Sequence, residues 1–307
     1  MIDLPDIQSR AEWVFQTYEA VRPRLPQVTF DTTTPQTAPS LELVAAPFAL
    51  ILFDAYGVLN LGETAIAGAA QRIAALRAAG KSVMVVSNSA GYPKSVMMDR
   101  YARLGFDFTP EEVVTSREAL LQYLSTSPPR HWGVMLNPAY GTVEFENQHI
   151  SFLADDPALY DQVEGFLLVG SDGWTDHRQS LLIDAIGRHN RPVIVGNPDI
   201  VAPRENGLSR EPGYFAHGLA DATGVAPVFL GKPFDSVFEL ALARHSIPFD
   251  PARVLMVGDT LHTDILGGGL IGASTALVTG FGVHAGADPQ ALIARSGIVP
   301  DFIIPQI

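Results

Sequence analysis

A run of apolar residues that stops at a single carboxylate constrains this chain more than any other feature: Ile51-Leu52-Phe53-Asp54-Ala55-Tyr56-Gly57-Val58-Leu59. A short apolar run of this kind is the pattern of a strand buried on both faces. A break containing glycine after it is how such a strand delivers one reactive side chain to the carboxyl edge of a parallel sheet. Asp54 is therefore the candidate nucleophile, set against the plainer reading of a strand that ends in a turn-forming aspartate.

The pattern recurs. Ser82-Val83-Met84-Val85-Val86 stops at Ser87-Asn88-Ser89, Val228-Phe229-Leu230 leads into Gly231-Lys232-Pro233, and Val254-Leu255-Met256-Val257 leads into Gly258-Asp259-Thr260-Leu261-His262-Thr263-Asp264. Thr275-Ala276-Leu277-Val278 reads as the final strand. Helical spacing separates these runs: Ile66, Ala69, Ile73 and Leu76 before Gly80; Val96, Met97, Tyr101 and Leu104 before Gly105; and Ser236 to about His245. Thr109-Pro110-Glu111-Glu112 and Thr115-Ser116-Arg117-Glu118 have the spacing of capping boxes. Strand alternating with helix predicts an α/β fold with a doubly wound parallel sheet, to which the Val228 strand is also assigned.

Pro128-Pro129 marks a boundary. Beyond it a separate α/β unit is expected, with strands at Trp132–Leu136, Gly165–Val169 and Pro192–Val195 and a helix through Leu181, Ile183 and Ile186. The expected division is a core over residues 41–127 and 226–307, an inserted cap over 128–225, and an N-terminal segment over 1–40. In that segment Ala11, Val14, Phe15, Tyr18 and Val21 predict one amphipathic helix ending before Pro23, and the Thr- and Pro-rich stretch from Thr32 to Ser40 reads as a linker. The helix is expected to pack on the core or on another subunit.

Composition narrows the function classes. A net charge of -13 argues against a nucleic-acid backbone or an anionic membrane as partner, because Lys and Arg would have to neutralise phosphates. Cysteine is absent, which removes thiolate catalysis and Cys-rich zinc sites. No apolar run approaches the length of a membrane span, and the acidic start Met1–Asp6 lacks the pattern of a signal peptide, so the cytoplasm is the expected compartment.

The chemistry is expected where the strands stop. Asp259 and Asp264 offer two carboxylates at one strand edge, and hard oxygen ligands at such a place suit Mg²⁺. The Lys232 ammonium could neutralise a carboxylate nucleophile and a phosphate together. Each motif alone reads as an ordinary turn or loop; four strand ends in the order Asp, Ser, Lys, Asp-and-Asp do not.

This set resembles the haloacid dehalogenase superfamily. With Asn197-Pro198-Asp199, Pro212-Gly213, Thr223-Gly224 and Gly231-Lys232-Pro233, it is similar to the class IIA branch of phosphatases with a large α/β cap. The resemblance covers residues from about Leu43 onward. It implies that Asp54 attacks phosphorus to form an aspartyl-phosphate, that Ser87 and the backbone around Asn88 hold the phosphoryl oxygens, and that Lys232 pairs with both. It further implies an Mg²⁺ site formed by Asp54, Asp259, Asp264 and the backbone carbonyl of Tyr56. A small phosphorylated substrate and a homodimer are the partners it suggests.

Tyr56 breaks the pattern. Phosphatases of this superfamily place a second aspartate there to protonate the leaving oxygen and later activate water. A phenol, with an ordinary pKa near 10, donates a hydrogen bond but is a poor base near neutrality. Three readings stay open: an Mg²⁺-dependent phosphatase that either accepts esters with good leaving groups or borrows an acid from the cap, with His177 and His217 the histidines to test; a low-turnover or non-catalytic binder of phosphorylated metabolites; and a metal-independent dehalogenase, whose turn the Asp-Ala-Tyr-Gly sequence resembles. Asn197, Asp199, Trp174, His177 and Tyr214 are the expected cap-side lining residues, with Asn88 opposite them.

Overall fold

The computed structural model describes residues 7–204, 207–245 and 250–307. The acidic start on which the expectation about a signal peptide rests lies outside the described residues. Seven strands form a sheet in the order Gln36–Thr37, Phe302–Ile304, Ser274–Val278, Val254–Gly258, Leu50–Phe53, Ser82–Ser87 and Val113–Thr115. All of the pairings are parallel. From the Leu50–Phe53 strand the chain winds outward through Ser82–Ser87 to Val113–Thr115, then returns to the other side at Val254–Gly258 and winds outward again.

The winding therefore reverses between Leu50–Phe53 and Val254–Gly258, the place where open α/β sheets bind ligands. Register completes the alignment, because Phe53 faces Val257 on one side and Val85 on the other. Asp54, Ser87 and Asp259 consequently leave the sheet at one rim. The strands are buried along their length, with Ile51, Phe53, Val83, Val85, Leu255 and Val257 in one apolar layer and Leu50, Leu52, Met84, Val86, Val254 and Met256 in the other. This is the two-sided burial that a continuous apolar run predicts.

A second parallel sheet has five strands, in the order Val228–Phe229, Val193–Val195, Gly165–Leu168, His131–Met135 and His149–Phe152. Phe166, Leu168, Val193 and Val195 pack on the helices Asp176–Arg188 and Pro212–Thr223. The alternate residues Leu167 and Ile194 pack on Leu120 and Leu124 of the Ser116–Thr126 helix. An antiparallel hairpin, Val201–Arg204 with Gly207–Arg210, packs Val201 and Leu208 against Val14, Tyr18 and Val21. Both expected capping boxes form, Thr109 with Glu112 on a short 3₁₀ turn and Thr115 with Glu118 on the Ser116–Thr126 helix.

Two strand assignments are corrected. Val228–Phe229 extends the second sheet, pairing with Ile194–Val195, and is not part of the core sheet. The Phe229 ring explains the choice: it lies in the second sheet's apolar cluster, stacked on His217 and on Phe234. Thr275–Val278 is not the final strand, because Phe302–Ile304 pairs with it and Gln36–Thr37, inside the expected linker, adds the outer edge. Strands of two and three residues are too short to carry a periodic signal. The N-terminal helix spans Ile7–Val21, as its apolar spacing predicts.

Candidate active site

Asp54 follows directly on its strand, and its backbone N–H donates to the Val257 carbonyl at 2.9 Å, tying the turn to the neighbouring strand. Gly57 lets the loops close. Its φ is +85°, and a Cβ there would fall 2.5 Å from Asp259 Oδ2. Asp259 is held by the Val283 N–H and the Thr260 hydroxyl, each donating at 2.8 Å. The Thr260 N–H donates to Asp264 Oδ2 at 3.1 Å. Lys232 Nζ reaches between the carboxylates, 2.5 Å from Asp54 Oδ1 and 2.9 Å from Asp264 Oδ1.

These groups are not equally accessible. The Asp54 side chain is 13% exposed, that of Lys232 2% and that of Asp264 1%, so Asp54 is the one a ligand can meet. Burial pulls the Lys232 ammonium down, but Asp264, Asp54 and Asp199 together outweigh it and hold the group above its usual value. Burial, then Asp264 and Asp54, push Asp259 well above the usual carboxylate range. Burial likewise raises Asp264, to about 6, with Lys232 opposing. Three carboxylates and one ammonium in so small a space leave negative charge uncompensated.

Asp54, Asp259 and Asp264 each offer a carboxylate oxygen within 4.8 Å of the others. Asp264 Oδ1 pairs with Lys232 but has no hydrogen-bond donor aligned on it. This hard, anionic donor set fits a divalent cation.

Asn88 joins the opposite wall together. The Lys232 N–H donates to Asn88 Oδ1 at 2.7 Å, and Asn88 Nδ2 donates to the Lys232 carbonyl at 2.9 Å and to Asp199 Oδ1 at 2.7 Å. Ser87 Oγ accepts from the Ser89 N–H at 3.2 Å. The Asp199 N–H donates to Asn197 Oδ1 at 2.9 Å, and Asn197 Nδ2 donates to Glu211 Oε2 at 3.2 Å. Gly213 lets this segment sit close to the helix behind it, since a Cβ there would lie 2.0 Å from the Pro198 carbonyl oxygen. Burial raises Asp199 to about 8 against the pull of Lys232 and the Asn88 hydrogen bond.

Tyr56 is held by two arginines that its neighbours in sequence do not announce. Arg100 Nη1 donates to Tyr56 Oη at 2.8 Å, and the Arg204 guanidinium lies 5.3 Å from the centre of the ring while pairing with Glu211 at 2.9 Å. Burial raises the phenol above its usual value even against both cations.

The site opens into a cavity of about 510 Å³ whose lining includes Asp54, Tyr56, Ser87, Asn88, Lys232, Asp259, Asn197, Asp199 and Trp174. Asp264 sits behind that wall, in contact with Lys232. His177 is not on the wall: it lies exposed in the first turn of the Asp176–Arg188 helix. His217 is buried against Phe229, and burial depresses it to about 4, so it packs rather than titrates near neutrality. Tyr214 packs beside Trp13 and Phe215, and it is Phe215 that faces the cavity. Tyr18, Arg204, Arg210 and Glu211 line the cavity without having been expected there. Tyr18 carries the spacing of a core residue, and the arginines carry no spacing signal.

Two family models match. Residues 51–145 match the haloacid dehalogenase-like hydrolases and residues 229–307 the HAD-hydrolase-like proteins. Chronophin of Homo sapiens is 32% identical over 270 residues, covering 84% of this chain and 90% of that protein. Acid sugar phosphatase of Staphylococcus aureus is 29% identical, over 73% of this chain and 83% of that protein. Among solved structures, a possible sugar phosphatase of Cytophaga hutchinsonii superposes with a TM-score of 0.77 at 26% identity, over 88% of this chain and 98% of that one.

Proposed function

We propose, from the premise that this chain belongs to the haloacid dehalogenase-like hydrolases, that it is an Mg²⁺-dependent phosphatase of small phosphomonoesters working through an aspartyl-phosphate on Asp54. One observation carries the reading: the Asp54 carboxylate faces the cavity with Lys232 at 2.5 Å and two further carboxylates beside it. Relatives named as phosphatases support it, among them one acting on sugar phosphates by name.

In the first step Asp54 Oδ forms a bond to phosphorus while the bond from phosphorus to the leaving oxygen breaks. Like charges oppose that approach, and Lys232 offsets the repulsion while Ser87 and the N–H groups around Asn88 hold the phosphoryl oxygens. Asp54, Asp259, Asp264 and the Tyr56 carbonyl would hold Mg²⁺, which when bound neutralises charge on the transferring group. Because Arg100 already donates to Tyr56 Oη, the phenol keeps its own hydrogen to offer as a hydrogen bond to the leaving oxygen, which takes its proton from water. Water must then attack phosphorus to release Asp54, and a phenol is a poor acceptor of that water's proton. The second step is the slow one. The unit that begins near residue 128 and runs through the Val228–Phe229 strand acts as the cap that selects the alcohol.

A low-turnover binder of phosphorylated metabolites is the second reading. It is favoured by the replacement of a carboxylate at position 56 with a phenol fixed between Arg100 and Arg204. The carboxylate cluster weighs against metal-free halide displacement. The test is phosphate release from p-nitrophenyl phosphate and a panel of sugar phosphates, with and without Mg²⁺, beside Asp54→Asn. The expected result is Mg²⁺-dependent release that Asp54→Asn lowers by at least about 10³-fold. Release that survives in Asp54→Asn rejects the reading. A phosphorylated compound that raises the melting temperature without being consumed favours the binder.

A further inference from the structure

The cavity wall contains one residue from the segment that precedes the first family match. Tyr18 lines the cavity, whereas the first match begins at residue 51. The helix that carries it lies between the two units. Val14, Tyr18 and Val21 pack with Ile200, Val201 and Leu208 on the cap side and with Val283, whose N–H holds Asp259, on the core side.

Polar contacts fix the helix from the core. Glu12 makes two hydrogen bonds of 2.8 Å with the Arg295 guanidinium, and Glu19 Oε1 lies 2.6 Å from His262 Nε2. The Tyr18 ring stacks on the His262 ring, with centroids 5.1 Å apart and planes 10° apart. His262 belongs to the turn that joins Asp259 to Asp264. On the cap side the Ile200 N–H donates to Tyr18 Oη at 3.2 Å, one residue past Asp199. Tyr18 thus touches the turn behind the carboxylates and the backbone beside Asp199 at once. Among the described residues no group accepts the Tyr18 hydroxyl's own hydrogen.

We propose that the N-terminal helix is a fixed wall of the active site, and that Tyr18 is a specificity-determining residue whose O–H donates to an oxygen on the alcohol portion of the substrate. The class it selects is a phosphomonoester of a polyhydroxylated alcohol over one of a plain aryl alcohol. This rests on the phosphatase reading for its substrate and on the geometry alone for the wall. A site with a donor aimed at a substrate oxygen discriminates against an analogue that lacks it.

The test uses the full chain and Tyr18→Phe, with glycerol 3-phosphate and p-nitrophenyl phosphate as probes. For glycerol 3-phosphate KM should rise about tenfold with kcat within about twofold, the loss of one hydrogen bond made alike in ground and transition states; for p-nitrophenyl phosphate KM should stay within about twofold. Exchange of the Ile200 amide should quicken. Glu12→Gln, which weakens an exposed ion pair six residues before Tyr18 and leaves the Glu19–His262 contact holding the helix, should leave both KM values unchanged. Equal KM shifts for the two probes, no shift for either, or the same shifts in Glu12→Gln would overturn the assignment. Binding of the two probes to Asp54→Asn with and without Tyr18→Phe gives the same comparison without turnover. A chain that hydrolyses nothing would therefore sink the phosphatase reading separately from this one.

Discussion

The two sides of the cavity are built on the same plan, a parallel sheet whose strands stop at one edge, yet they hold opposite kinds of residue. On the core side Asp54, Lys232, Asp259 and Asp264 crowd together, and Lys232 forms its ion pairs with Asp54 and Asp264. On the cap side the arginines come already satisfied: Arg204 is paired with Glu211 and Arg210 with Asp176, and Trp174 and Phe215 line the cavity with them. The core side holds more negative charge than its one ammonium offsets; on the cap side each of these arginines already has its carboxylate. Removing one member from the core side strands a buried charge, which is costly, whereas the same change on the cap side is graded.

Lys232→Met is the sharpest way to break that contrast. It leaves Asp54 and Asp264 without the ammonium that lies within 2.9 Å of both. Activity should fall by about 10²- to 10³-fold, in proportion to the loss of one preorganised partner for developing charge. A variant that keeps full kcat would show that the ammonium has no part in the chemistry.

Tyr56→Asp exchanges a rim residue that resembles the cap side, being aromatic and held by arginines. A carboxylate there can accept the proton from attacking water, so steady-state turnover should rise by about tenfold, less than the full range for a positioned base because Arg100 and Arg204 would hold it as an anion. Phosphate release in the steady state, compared with the first turnover, measures it. An unchanged or lower rate would place the slow step elsewhere.

The contrast also decides how much could be read from the sequence. The core side was legible because its chemistry demands particular residue types at strand ends, and apolar runs mark where strands stop. Asp54, Ser87, Lys232 and Asp259 do line one cavity. Lys232 was found although its strand was assigned to the wrong sheet, because the motif fixes the lysine while only packing of Phe229 fixes the sheet. The cap side was legible at Asn197 and Asp199, where a turn motif marked it, and at Trp174, but not at Tyr18, Arg204, Arg210 or Glu211. His177 was expected there and lies exposed on a helix, because nothing in a helix's spacing says which polar residue faces a neighbouring unit. Arg100 reaches Tyr56 from 44 residues away, a contact made by the fold alone.

The smallest expected effect concerns the seam between the two sides, where Asp199 of the cap meets Asn88 of the core. Burial raises the Asp199 carboxyl to about 8 in the folded chain, from an ordinary value of 3.8. Between those values the folded state binds more protons than the unfolded one, so this group's contribution is fully present below about pH 4 and is lost as pH rises through about 8. Asp199→Asn keeps the shape, cannot ionise, and should not share that loss. In chelator, with no metal added, the wild-type melting temperature should fall relative to Asp199→Asn by a few degrees between pH 5 and pH 9, in keeping with about 1 to 2 kcal/mol in a chain of this size. Parallel curves across that range would mean that Asp199 is ionised in the folded chain and belongs electrostatically with the core carboxylates.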